Sequence, residues 1–372
     1  MPIDGYATLE GTARYRERFK ERAAENHFRH EQNLWLSSIG IGTYLGNWDA
    51  ETDRRYTESV MRALELGANV IDTAANYRFQ RSERSIGAAL GSVTEDGIAA
   101  RDEFLICTKG GYLPFDGEPP KDVRGYIEET FVRPGIAQLS DIVGGSHCMT
   151  PRYLQSQIDQ SLRNMNVSTI DVYYIHNPES QLGAVSRAEF ETRLRAAFEL
   201  LERNIAEGKI RMYGVATWNG FRVPNDAREH HSLERMVEIA REVGGEAHGF
   251  RFIQLPFNLA MPEALVMDNQ PLEGEQVSVL EAASALGVTV VASASLLQGK
   301  VARELPEHIR EPLGSLATDA QTAIQFVRST PGVTTALIGM SRREHVKENL
   351  QLARVARTLP EDFQRLFGEE EE

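Results

Sequence analysis

Eight times along this chain, a short run of β-branched and aromatic residues gives way to a longer stretch of helical period. Short apolar runs bounded by turn residues mark strands, and a 3.6-residue period marks helices. The strand runs are residues 38–43, 69–73, 104–109, 170–176, 210–217, 252–257, 289–294 and 335–339. Helical stretches follow near 53–66, 81–90, 151–165, 187–207, 232–243, 275–286, 318–330 and 342–353. Thr150 before Pro151 reads as a cap followed by proline at the first helical position. Gly67, Gly208 and Gly287 stand where helices end and a left-handed residue is wanted. Strands that alternate with helices are parallel, because each helix carries the chain back to the starting end of the sheet. Eight such units without a break predict an α/β fold, a closed (β/α)8 TIM barrel, with a doubly wound sheet as the main alternative.

Both flanks of that rhythm look different. Residues 1–37 read as an N-terminal helical extension, with the charged stretch 14–30, RYRERFKERAAENHFRH, as its amphipathic helix. Residues 38–358 form the barrel, and 359–372 are a C-terminal tail whose GEEEE end reads as disordered. One long loop after strand 3, residues 110–149, interrupts the pattern; loops of this length are usually lids or disordered.

Charge and composition then narrow the partners. Lys and Arg total 40 against 54 Asp and Glu, a net charge of −14 in 372 residues. Such a balance argues against a nucleic-acid partner, which needs a basic surface. The opening MPIDGYATLE has no basic stretch followed by an apolar one, and no run is long enough to span a bilayer. The expectation is a cytoplasmic protein with no membrane partner. Two cysteines, Cys107 in the apolar FLICTK and Cys148 beside His147 in the long loop, are too few for a zinc knuckle.

In a barrel, active sites gather at the C-terminal ends of the strands. There strand 2 ends in Asp72 with Tyr77 just beyond, strand 3 in Lys109 and strand 4 in His176, while strand 6 carries Gln254. Taken singly, each has an ordinary explanation: a turn cap, a loop aromatic, a solvated lysine, a structural histidine. Converging on one mouth, they make chemical sense. A lysine ammonium near a phenol favours the phenolate, an aspartate holds the lysine, and a histidine donates to a substrate oxygen.

The blocks GIGTYLGNWD, IDTAANY, TKGG, DVYYIHNPE and LIGMSRREHVKENL occur in this order between residues 38 and 353. Together they resemble the aldo-keto reductase family, (β/α)8 barrels that use a nicotinamide cofactor without a Rossmann domain. The resemblance implies Asp72, Tyr77, Lys109 and His176 as a catalytic tetrad, with Tyr77 the acid in reduction and the base in oxidation. It implies a cofactor groove along Gly42, Thr43, Tyr44, Thr217, Gln254, Ser293, Ala294, Leu296, Gly299, Gly339, Ser341, Arg343, Glu348 and Asn349. Arg342, Arg343 and His345 at a helix start suit a 2′-phosphate, so NADP(H) is favoured and NAD(H) is compatible. Trp48, Tyr112 and Trp218 are candidate walls of the substrate pocket, and no metal ligands are implied.

Two positions depart from the family pattern. GVATW replaces the usual Gly-Val-Ser-Asn after strand 5, leaving Thr217 to reach the carboxamide. Ser293 stands where the family places an aromatic against the nicotinamide ring, with Trp218 or a long-loop residue as candidate replacement. The leading reading is an oxidoreductase acting on an aldehyde, ketone or sugar, or on the corresponding alcohol. A second is a catalytically weak or inactive nicotinamide-binding regulatory protein, and a metal-dependent barrel enzyme is a third. An oligomer is compatible with each.

Overall fold

The structure is a computed structural model that describes residues 1–368. The chain opens with α1 (Leu9–Arg18) and a hairpin of β1 (Phe28–Glu31) and β2 (Leu34–Ser37). β3 (Ile39–Gly42), α2 (Ala50–Glu65), β4 (Val70–Asp72), α3 (Arg81–Glu95) and β5 (Leu105–Gly110) follow. The long loop holds the short α4 (Val123–Ile127), and α5 (Pro151–Met165) and β6 (Ile170–His176) come after it. Next are α6 (Arg187–Ala206), β7 (Ile210–Ala216), α7 (Leu233–Gly244), β8 (Phe250–Pro256) and α8 (Glu263–Val266). A second hairpin, β9 (Asp268–Leu272) with β10 (Glu275–Ser278), precedes α9 (Val279–Ala285) and β11 (Thr289–Ser293). The chain closes with α10 (Glu307–Arg310), α11 (Asp319–Ser329), β12 (Val333–Gly339), α12 (Arg343–Asn349) and α13 (Pro360–Gln364).

Strands β3 to β8, β11 and β12 form a closed parallel barrel in the order β11-β12-β3-β4-β5-β6-β7-β8. The eight-stranded expectation therefore holds. Leu36, Val70, Leu105, Cys107, Val172, Tyr174, Phe252 and Val291 fill one buried cluster, while the opposite strand faces pack against the helices. Parallel strands buried on both faces read as continuous apolar runs, which is why they were visible in the sequence. Register brings the strand ends level: Gly42 pairs with Asp72, Asp72 with Cys107, His176 with Ala216, and Ala216 with Gln254.

Three expectations need correction. The helix expected over 14–30 is instead α1 at Leu9–Arg18, with Thr8 capping Gly11 N–H, and residues 28–37 form the β1–β2 hairpin. Likewise 275–278 belong to the β9–β10 hairpin, and the helix starts at Val279 under a Ser278–Glu281 capping box. Both hairpins turn on two successive residues of positive φ: Gln32 and Asn33 (50° and 58°), then Glu273 and Gly274 (51° and 93°). Paired left-handed residues match the strand twist, and neither pair is the Asn-Gly that makes such turns conspicuous. Finally, the segment read as a tail begins with α13, whose buried Phe363 stacks on Phe326 at 5.6 Å. Residues 369–372, most of the GEEEE end, lie outside the described residues.

The long loop is docked, not loose. α4 runs into a wide π turn at Glu128–Val132, and Phe131, His147, Cys148 and Met149 are buried. Among the described residues no helix is long and apolar enough to cross a membrane.

Candidate active site

A cavity of about 740 Å³ opens at the C-terminal end of the barrel. Asp72, at the last position of β4, is buried and accepts from Lys109 Nζ at 2.6 Å through one carboxylate oxygen. Its other oxygen accepts from Gln254 Nε2 at 2.8 Å. Lys109 Nζ also donates to the Thr73 carbonyl at 2.7 Å, and its side chain is wholly enclosed, below the cavity wall. Burial pulls the Lys109 ammonium down, but Asp72 and Tyr77 outweigh it and leave its pKa raised. The lysine is held charged.

That charge sits 5.0 Å from the Tyr77 ring centre. Burial raises the Tyr77 pKa, with Lys109 pulling the other way, so the phenol keeps its proton at neutral pH. Backbone geometry sets the ring's place. Arg78, Phe79 and Gln80 all have positive φ (49°, 57° and 69°), a left-handed turn between Tyr77 and α3. Non-glycine residues enter that region at a cost of about 1–3 kcal/mol each, so surrounding contacts must hold them there. They do: Arg78 donates to the Asn47 carbonyl and pairs with Asp53, and Gln80 Nε2 donates to the Phe115 carbonyl in the long loop.

His176, the last residue of β6, packs edge-on against Tyr77 (5.8 Å) and Tyr112 (5.1 Å). Its Nδ1 is buried without a partner. Burial, then Lys109 and His147, keep its pKa well below the usual histidine value, so the imidazole is neutral.

Of the residues expected in the cofactor groove, the cavity is lined by Gly42, Thr43, Tyr44, Thr217, Gln254, Ser293, Ala294, Leu296, Gly299, Gly339, Ser341, Glu348 and Asn349. Arg343 is not among them; it is exposed on α12, one residue past the N-cap Arg342. Tyr112 and Trp218 line the cavity, whereas Trp48 lies outside its lining, exposed and edge-on to Phe79. Side chains on a surface loop follow no period, so the direction of Trp48 was not legible. The walls also carry unmet polar atoms: Thr217 Oγ1 and Asn349 Oδ1 are both buried without partners. Buried polar groups are normally bonded, so these two atoms fit a wall completed by a polar ligand.

Two further residues were not assigned roles from the sequence. Asn177 lines the cavity and donates to Tyr112 Oη at 3.1 Å. Glu179, buried behind it, accepts from the backbone N–H of Trp218 (2.6 Å) and Asn219 (3.0 Å), tying the loop after β7 to the loop after β6. Burial pushes the Glu179 carboxyl up, but His231 and those two amides outweigh it and hold it below the ordinary value. The sequence signal was an acid three residues beyond a strand-end histidine, in HNPE.

Comparison with known proteins agrees with this architecture. The aldo/keto reductase family's sequence model matches residues 38–367. An L-glyceraldehyde 3-phosphate reductase of Escherichia coli is 23% identical, covering 89% of this chain and 88% of its own. A D-threo-aldose 1-dehydrogenase of a Pseudomonas species is 24% identical over 86% of this chain and 90% of its own. Among solved structures, an aldo/keto reductase of Klebsiella pneumoniae, in complex with NADP and acetate, superposes with a TM-score of 0.61. It is 19% identical and covers 94% of this chain and 98% of its own. With the family model spanning most of the chain and the barrel closed as that family closes it, this protein belongs to the aldo/keto reductase family and is an oxidoreductase.

Proposed function

We propose that the protein transfers a hydride between NADP(H) and a small carbonyl compound or its alcohol, with Tyr77 as general acid and base. The observation that carries this reading is the Lys109–Asp72 pair at 2.6 Å, buried directly beneath the Tyr77 ring. The nicotinamide, when bound, supplies or accepts the hydride. Tyr77 gives its proton to the carbonyl oxygen in reduction and takes it back in oxidation; Lys109 stabilises the phenolate left between these events. Asp72 keeps Lys109 charged and fixed. Neutral His176 orients the substrate oxygen against Tyr77.

For the cofactor, Thr217 and Gln254 are placed for the carboxamide, although the Gln254 amide nitrogen is already committed to Asp72. Ser293, Ala294, Leu296 and Gly299 follow the groove, and Gly339, Ser341, Glu348 and Asn349 receive the adenosine end. Arg342 and Arg343 stand beside that end for a 2′-phosphate, which is why NADP(H) is preferred to NAD(H). The relatives named as a glyceraldehyde-phosphate reductase and an aldose dehydrogenase point to sugar-type carbonyls as the first substrates to try.

Fluorescence titration with NADPH and NADH, followed by single-turnover oxidation of bound NADPH with an aldehyde and aldose panel, tests the reading. Expected are tighter NADPH binding and substrate-dependent oxidation. Tight binding without oxidation by any carbonyl would favour the regulatory reading instead.

A further inference from the structure

The long loop after β5 brings one side chain back to the catalytic strand end. His147 is buried, and its Nε2 lies 2.7 Å from the carbonyl oxygen of His176. Its Nδ1 lies 2.8 Å from Gln181 Nε2, and Gln181 Oε1 accepts from Arg193 Nη1 at 2.7 Å. A guanidinium can only donate, so the Gln181 oxygen must face Arg193 and its amide N–H must face His147. His147 Nδ1 is then an acceptor, its proton is on Nε2, and that proton goes to the His176 carbonyl. The chain Arg193–Gln181–His147 therefore has one direction and one tautomer.

What it grips is the peptide between His176 and Asn177. On the other side of that peptide, Asn177 N–H donates to the Ala216 carbonyl at 2.6 Å. Asn177 is left-handed (φ 45°), the bend that turns its side chain from the strand into the cavity. The Tyr112 ring lies edge-on to both histidines at 5.1 Å, and its hydroxyl meets Asn177. Space is reserved for the contact at Gly111, where a Cβ would come within 2.7 Å of the His176 oxygen and 2.8 Å of His147 Nε2.

The geometry points to His147 as a positioning residue for the carbonyl substrate: through its bond to the His176 carbonyl it fixes the His176 ring, Asn177 and Tyr112 as one substrate-facing wall. The long loop is then a brace carrying His147, not a lid. His147 itself does not line the cavity. This inference rests on the hydride-transfer reading above for its kinetic consequence, but not for its geometry.

Two variants separate the bond from the bulk. His147→Phe keeps a ring of similar size and removes the donor; His147→Gln retains a donor at nearly the Nε2 position. Under the inference, His147→Phe lowers kcat/KM for the carbonyl by about tenfold, with KM raised, while the NADPH Kd is unchanged. His147→Gln recovers most of the loss. Parental kinetics in His147→Phe, no recovery with Gln, or an equal loss of NADPH binding would each overturn the inference. A second measurement is independent of turnover and of the His147 variants' folding. ¹⁵N spectra of labelled histidines in the parent protein should show His147 as the Nε2–H tautomer, and Gln181→Glu, which sets a carboxylate against Nδ1, should add a proton there. A parent His147 protonated at Nδ1 would overturn the inference. If no carbonyl oxidises bound NADPH, the hydride-transfer reading fails, and these spectra still decide the brace.

Discussion

The two ends of the cavity are built on different terms. At the Tyr77 end, Asp72, Lys109 and Gln254 are buried and bonded to one another, and His176 is boxed between two tyrosines. At the Asn349 end, Arg342, Arg343 and His345 are exposed, and Asn349 Oδ1 is buried with its bonding unmet. Chemistry needs groups held before the substrate arrives, whereas a grip on a charged, exposed moiety can be completed by the ligand itself. Substitutions should therefore cost much at the first end and little at the second.

The largest expected effect is at Tyr77. Tyr77→Phe removes the proposed general acid and leaves the ring packing against Tyr44 and His176. Turnover should fall by about 10²–10⁴-fold, with NADPH affinity retained. Stopped-flow oxidation of bound NADPH measures both. A variant with parental turnover would remove Tyr77 from the reaction and with it the claim that this end is preorganised for chemistry.

Next is the buried pair. Lys109→Met leaves the Asp72 carboxylate enclosed with only Gln254 as partner, at a cost of about 3–5 kcal/mol in folding stability. Adding Asp72→Leu should restore much of that stability while turnover stays lost. Urea unfolding of the single and double variants, beside their kinetics, separates the structural from the catalytic contribution of the pair.

What the sequence revealed follows the same division. Strand ends were legible because parallel strands buried on both faces are unbroken apolar runs, and the run at 170–176 coincides with β6. The residues those strands end in could be read off in order, and the structure brings Asp72, Tyr77, Lys109 and His176 together. What escaped were features set by backbone hand and by distant partners. The left-handed turn at Arg78–Gln80 contains no glycine, so nothing in its composition announces positive φ. HNPE marks Glu179 as an acid just past a strand-end histidine, but the bonding partners of His147 and Glu179 lie 29 and 39 positions away and only the fold supplies them. The family resemblance implied Arg343 in the groove, but a helix end fixes the backbone and leaves a long exposed side chain free to point elsewhere.

The Tyr77 end also sets an expected pH profile. His176 is held neutral, its pKa far below 6.5, because ionising it in a buried site beside Lys109 is unfavourable. Tyr77 is raised above 10, so it remains protonated through neutral pH. Under the proposed mechanism reduction uses the protonated phenol, and its kcat should be flat from about pH 6 to 8. Under the same mechanism oxidation uses the deprotonated form, whose fraction grows as pH rises toward the phenol's pKa, so its rate should climb across the same range. A flat profile in reduction beside a rising one in oxidation, measured in one buffer series, supports a single tyrosine in both roles. A histidine-like fall in reduction below pH 7 would show that His176 ionises and that this end is wetter than its packing implies.

The smallest effect belongs to the exposed end. Arg343 is solvent-facing, and its contact with a 2′-phosphate would be made in water, where ion pairs are weak and salt-screened. Arg343→Ala should weaken NADPH about two- to fivefold at low salt, leave NADH unchanged, and lose most of that difference at high salt. Asn349→Ala is the useful contrast, because Asn349 is buried, lines the cavity and has an Oδ1 without a partner. Its loss should weaken NADPH and NADH alike and resist salt. If instead Arg343→Ala cost as much as Asn349→Ala and did so at every ionic strength, the arginine would have to fold inward over the bound cofactor. The adenosine end would then be as closely organised in the complex as the Tyr77 end already is without it.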